Sequence, residues 1–401
     1  MKTITGPLAG IRVVDMTLML LGPAATQALA DLGADVIKVE PKSGDGRRVL
    51  GPSRHASMPS QYLLVNRGKR SIALDVKRPE AREVVRKLCA NADVFVHNSR
   101  RQAMERLRLT YEDVSQVNES IVYCAGVGFG EGGSYADKPA LDDMIQGLAA
   151  IPALQKKLTG RAAYVPFNLA DRICGMVFAQ TILAALLCRA RTGQGQSVEL
   201  PMFETMAEFV LSEHLWGHTF IPPVGELGAP RQFERRPLAT KDGHLCLWVG
   251  SGEQAVRLFE AIGRPELQKD ARFSTRADLN RNLPAFFDVV ESALSTRNSA
   301  EWMEILEHAD IPVMPMHTLE SLLEDRHLQE TRFFKVSEHP TEGKMLSMAI
   351  PSRWSKTKPG NSRHAPGIGE HSLEILQEAG YSREEAAALV ESSVVYSTAK
   401  S

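Results

Sequence analysis

Short apolar runs and longer amphipathic stretches alternate along the first third of the chain. Residues 11–15, 35–40, 71–75, 93–96 and 121–125 are compact runs rich in Val, Ile and Ala, the size and composition of buried strands. Helical periodicity fills the gaps at 23–32, 80–90 and 104–114, with Pro23 in the first turn of the first helix and Gly33 as its stop. Strands separated by helices of this length predict a parallel sheet wound by crossovers. A strand at 197–200 and a helix at 203–216 extend the series.

Before that strand, residues 173–188 are apolar almost throughout, predicting a central helix covered on every side. The run is shorter than the roughly 18 residues of a bilayer span and carries Gln180 and Thr181, so no membrane segment is expected. Pro222, Pro223, Gly225, Gly228 and Pro230 then break the pattern. Beyond them a smaller unit is expected: a strand pair around Lys241-Asp242-Gly243 and helices near 253–262, 285–296 and 300–308. A loose stretch at 356–369 precedes terminal helices at 372–379 and 383–390. The expected organisation is a large domain from 1–220, a small domain at 226–325, and a return to the large one over 326–401.

The length of 401 residues allows this division. Forty-seven Lys and Arg against 48 Asp and Glu leave a net charge of −1, so no broad field gathers nucleic acid and any phosphate site must be local. The five scattered cysteines show neither metal-ligand spacing nor an even count; reduced thiols and a cytoplasmic setting are expected, with no apolar leader at the N-terminus. Gly128-Phe129-Gly130-Glu131-Gly132-Gly133 matches the dinucleotide fingerprint in spacing, but turn residues follow it where a helix is required. His214 and His218 lie one helical turn apart without the Glu or third ligand of a zinc site, so no metal is expected.

One residue stands out. Asp171 falls at the third position of the apolar helix, behind Asn168 as a candidate N-cap. There the helix dipole and free N–H groups favour an ionised carboxylate. It is either a capping acid or a covalent nucleophile at the edge of a water-poor interior.

Several further segments carry a resemblance. They are residues 7–15, residues 32–41 (Leu32-Gly33-Ala34-Asp35 onward), Asn66-Arg67-Gly68-Lys69-Arg70-Ser71, Arg191-Thr192-Gly193-Gln194-Gly195-Gln196, Gly367-Ile368-Gly369-Glu370-His371-Ser372 and Ala379-Gly380-Tyr381-Ser382. Together the chain resembles the class III CoA-transferase family, which includes formyl-CoA and carnitine CoA-transferases; α-methylacyl-CoA racemases share the fold. The resemblance is densest before residue 210 and weakest between 220 and 340.

It implies an α/β protein: a Rossmann-like large domain with an inserted small α+β domain, assembled as an interlocked homodimer. Asp171 matches the catalytic aspartate, attacking an acyl-CoA thioester to give an aspartyl anhydride and then an aspartyl-CoA thioester. Asp142 matches an acid lining the site. Leu141 stands where the racemases carry a proton-transferring histidine, which favours transfer over racemisation; a racemase-like enzyme or a silent CoA-binding protein are the alternatives. By the same match Leu74, Lys77, Asn98, Ser99, Arg106 and Leu107 bind CoA, with Arg48 as a further phosphate candidate. Gly250 and Gly252, in Val249-Gly250-Ser251-Gly252-Glu253-Gln254, either form a closing glycine loop or an ordinary strand-to-helix turn. Leu20 replaces a site glutamine of formyl-CoA transferases, suggesting a larger or less polar acyl group, and Arg100-Arg101-Gln102 replaces the usual Arg-Pro-Gly. Arg231, Arg235 and Arg236 are either surface charges or ligands for a distal carboxylate. Acyl-CoA and a carboxylic acid are the expected partners, CoA acting as substrate rather than resident cofactor.

Overall fold

The computed structural model describes residues 5–249, 252–360 and 363–398. Its larger unit, spanning Met1–Leu154, Ala162–Val210 and Arg332–Ser401, is built on β1 (Arg12–Met16), α1 (Leu21–Asp31), β2 (Asp35–Glu40), α2 (Ser60–Asn66), β3 (Lys69–Leu74), α3 (Pro79–Ala90), β4 (Val94–His97), α4 (Arg101–Leu107), α5 (Tyr111–Ser115) and β5 (Val122–Val127). There follow α6 (Asp142–Leu148), α7 (Ile151–Thr159), α8 (Leu169–Thr192), β6 (Gln196–Pro201) and α9 (Met202–His214).

The sheet order is β3-β2-β1-β4-β5-β6, all parallel, the doubly wound order expected of strands joined by helical crossovers. Alternate residues of each strand feed separate cores, because side chains alternate between sheet faces. Val13, Val36, Val94 and Cys124 face α1 and α8. Val14, Ile37, Ile72 and Phe95 face the layer containing Val84, Leu88 and Ile375.

The stretch expected as one helix at 104–114 is two. Arg108 adopts a left-handed φ of 54° after α4, and Thr110 then opens α5 with a reciprocal capping box to Asp113.

α8 extends beyond the apolar run at both ends, and its 24 residues are long and apolar enough to cross a bilayer by length and composition alone. Here Ala170, Ile173, Cys174, Phe178 and Ile182 fill the first core. The expectation of cover on every side does not hold. Arg172, Met176, Gln180, Ala184 and Leu187 form an exposed stripe in the single chain, recurring at nearly every fourth residue, the period of one helix face. Gly175 sets the α1 crossing: a Cβ there would meet the Leu21 carbonyl oxygen at 2.9 Å.

The second unit, Gln155–Arg161 with Leu211–Thr331, contains β7 (Leu238–Ala239), β8 (His244–Leu247), α10 (Gly252–Ala261), α11 (Arg276–Arg281), α12 (Leu283–Leu294), α13 (Ser299–His308), β9 (Val313–Pro315), α14 (Leu319–Leu323) and α15 (Arg326–Glu330). Its three strands form an antiparallel sheet in the order β7-β8-β9. Phe259, Phe273, Phe286 and Trp302 centre its own core. The chain then returns to the larger unit through the hairpin β10 (Phe334–His339) and β11 (Gly343–Met348), α16 (Ser372–Glu378), α17 (Arg383–Glu391) and β12 (Val395–Tyr396), which pairs antiparallel with β3.

Candidate active site

Between β1 and β4 the winding reverses, and the loops leaving these two neighbours diverge to open a crevice, the usual ligand position in such sheets. Asn98 bridges the crevice floor: its Oδ1 accepts the Leu18 N–H at 2.9 Å and its Nδ2 donates to the Leu18 carbonyl at 2.8 Å. A cavity of about 1000 Å³ occupies the crevice, lined among others by Leu20, Arg47, Asn98, Asp142, Tyr164 and Asp171.

Asp171 is the third residue of α8, half-buried and facing this cavity. Asn168 is the residue before the helix, but its side chain makes no capping bond. Asp142, from the start of α6, takes over that role: its Oδ2 accepts the Asp171 backbone N–H at 2.9 Å. Gln146 steadies Asp142 by donating to Oδ1 at 2.6 Å, while its own carbonyl oxygen accepts the Val165 N–H at 3.1 Å. Burial, reinforced by the Asp142 charge and opposed by Arg47 and Arg172, pushes the Asp171 carboxyl up to about 6. The dipole effect expected from the helix position is outweighed, yet the group remains mostly ionised at neutral pH.

Behind the crevice lies a buried ionic network. Lys69 donates to Asp15 at 3.1 Å, Lys38 to Asp45 at 2.8 Å, and Arg48 to Glu40 at 2.7 Å. Asp45 also accepts the Met19 N–H at 3.0 Å, holding Met19 at a left-handed φ of 69° on the cavity wall. Strain of this kind persists where surrounding bonds over-determine it.

Arg48 is thereby corrected as a phosphate candidate. It is 2% exposed. Its guanidinium is used by both oxygens of Glu40, the Ser57 and Pro366 carbonyls and the Tyr62 hydroxyl, with Tyr62 also beneath it as a π face. Its neighbour Arg47 instead reaches the cavity, whose lining also includes Arg100, Lys138 and Arg101, the last paired with Glu131 and Glu199.

Asn98, Ser99, Leu20 and Asp142 line the cavity with Asp171; Leu74, Lys77, Arg106 and Leu107 do not. Leu74 is packed in the second core, whereas Lys77 and Arg106 are exposed on the same unit. Gly250 lies outside the described residues, as does the side chain of Arg231. Gly252 begins α10 in the second unit, where Arg236 pairs with Asp288 and Glu291 and Arg235 bonds Gln232. Arg47, Met19, Gln146 and Tyr164 were not singled out from the sequence; the tandem Arg47-Arg48 after Gly44-Asp45 was the only visible signal.

The model of CoA-transferase family III matches residues 8–372. The chain is 30% identical over 382 residues to a succinate–glutarate CoA-transferase of Agrobacterium fabrum, covering 93% of this chain and 95% of that protein. It is 33% identical over 322 residues to an acetyl-CoA:oxalate CoA-transferase of Acetobacter aceti, covering 78% and 81% of the two chains. Among solved structures, a CaiB/BaiF family protein from Brucella suis superposes with a TM-score of 0.81 at 29% identity, covering 94% of this chain and all of that one.

Proposed function

The chain belongs to CoA-transferase family III, and on that premise we propose that it moves CoA between an acyl-CoA and a free carboxylic acid by covalent catalysis through Asp171. The observation that carries this reading is the Asp171 carboxylate itself, mostly ionised at neutral pH and facing a cavity at the sheet's switch point.

In the proposed cycle the Asp171 carboxylate attacks the donor thioester carbonyl, forming an acyl-aspartyl anhydride and releasing CoA thiolate. The thiolate attacks the aspartyl carbonyl, expelling the donor as a free carboxylate and leaving an aspartyl-CoA thioester. An acceptor carboxylate attacks that thioester, forming a second anhydride and freeing CoA thiolate again. The thiolate takes the acceptor acyl group and restores Asp171. One thioester is exchanged for another, so the overall free-energy change is small and each step needs mainly oxyanion stabilisation by placed donors.

Asn98 and Ser99, which line the cavity, are proposed to contact the thioester end of CoA. Lys77 and Arg106, with Leu107, are proposed to hold the distal nucleotide beyond the cavity; Leu74, fully buried in the second core, is corrected as a CoA contact. Met176, Ala184 and Leu187, the apolar members of the exposed α8 stripe, support assembly as a homodimer, since exposed apolar side chains on one helix face gain by being covered.

The test is peptide mass spectrometry after mixing the protein with a panel of acyl-CoAs and quenching with hydroxylamine. A hydroxamate on Asp171, absent from Asp171→Ala, is the expected result. CoA binding without an adduct across the panel overturns the covalent mechanism.

A further inference from the structure

Arg47 and Arg48 are adjacent in sequence and opposite in environment. The short helical turn that carries them, Gly46–Val49, is fixed from behind: Asp45 Oδ1 accepts the Arg47 N–H at 2.9 Å while Lys38 holds the other Asp45 oxygen at 2.8 Å. Arg48 points into this network and is saturated by it. Arg47 points to the other side, into the cavity that contains Asp171.

Arg47 is 7% exposed, and its Nε is buried with no hydrogen-bond partner. Among the described residues its guanidinium makes no ion pair, although Asp171 and Arg172 are close enough to feel its charge. A buried guanidinium nitrogen without an acceptor is unfavourable, and the backbone of the turn that carries it is fixed by Asp45. What completes it is an anionic group entering the cavity. Because the cation is held in place beforehand, little ordering cost remains when that group arrives.

The reacting carboxyl of a CoA-transfer substrate is a poor match for this role. It is ionised in the free acid but neutral in the thioester, so in half of the complexes Arg47 would again lack a partner. A second carboxylate, remote from the reacting carbon, stays ionised in both. We infer that Arg47 holds such a remote carboxylate, that the acids exchanged by this protein are dicarboxylic, and that Arg47 is the residue selecting them over monocarboxylic acids of the same length. Leu18 and Leu20 from the β1–α1 loop and Leu21 at the start of α1 also line the cavity and supply apolar wall for the methylene chain between the two ends. The inference rests on the CoA-transfer reading above.

The experiment compares glutaryl-CoA with valeryl-CoA, equal in acyl length and differing by one carboxylate. Wild type is expected to prefer glutaryl-CoA, and Arg47→Met to lower the ratio of the two kcat/KM values by about 100-fold, the size of effect seen when one partner of a buried charged hydrogen bond is removed. Arg47→Lys should fall between. A wild type with no preference, or a ratio within about threefold of wild type in Arg47→Met, overturns the assignment even if both activities drop. Calorimetric binding of the two thioesters to Asp171→Asn, with and without Arg47→Met, reads the same selectivity without turnover. Selective binding without hydroxamate trapping in wild type would keep Arg47 and remove the transfer reading; trapping without selectivity would do the reverse.

Discussion

The Asp142 carboxylate accepts the backbone N–H of Asp171 at 2.9 Å. The acid that caps α8 is therefore also a fixed negative charge beside the proposed nucleophile, and it adds to burial in raising the Asp171 carboxyl to about 6. Anchoring and tuning are done by one side chain.

Activity should follow ionisation of Asp171. The acid limb of kcat/KM is expected near pH 6, with activity lost below it. In Asp142→Asn a carbonyl oxygen keeps the cap while the charge is gone. The limb should move to lower pH, but not back to the ordinary aspartate range, because burial is the larger cause. A limb unmoved in Asp142→Asn would show that the Asp142 charge does not act on the nucleophile.

Stability should change in the opposite sense to activity. The folded Asp171 carboxyl sits at about 6 against 3.8 for the ordinary group, so between those values the folded state binds a proton the unfolded chain does not. The Asp171 contribution to stability thus rises as pH falls through 6, and an ionised Asp171 is a cost at pH 7. Asp171→Asn is expected to be more stable than wild type by about 1–2 kcal/mol at pH 7, after discounting for partial exposure, with the difference shrinking toward pH 4. Urea titrations at the two pH values would measure it.

Arg48 should prove structural. Arg48→Met strands Glu40, which is buried and, among the described residues, otherwise bonded only to the Asp45 N–H and the Ser71 hydroxyl, and should cost about 3–5 kcal/mol in urea unfolding. Adding Glu40→Gln to the same chain should recover part of that loss. A fully stable Arg48→Met with weakened CoA binding would instead restore it as a phosphate ligand.

The α8 stripe predicts an oligomer. Met176, 61% exposed, and Leu187, 53% exposed, lie on the open face of the helix. Light scattering should find a dimer for wild type, and the double substitution Met176→Arg with Leu187→Arg should shift it to monomer or to unfolded chain. A wild-type monomer at micromolar concentration would remove the dimer.

Much of this architecture was legible in local pattern. Strand composition and helix periodicity are properties of neighbouring residues, so β2 was placed residue for residue and the crossover sheet followed. The position of Asp171 at the third residue of α8 was equally local, set by where the apolar run begins. What the sequence left open depends on partners distant along the chain. Arg48 was singled out over its neighbour Arg47; only the placement of Glu40, Tyr62 and Pro366 on one side of their turn decides which is consumed and which faces the cavity. Asn168 had the chemistry of a cap, and Asp142 took the bond because folding brought α6 against α8. The apolar run was read as covered all round, but hydrophobicity records a preference for burial without naming the chain that supplies it. Local sequence determined the elements and the candidate nucleophile, whereas tertiary packing decided the charges around it, since electrostatic partners are chosen by distance in space.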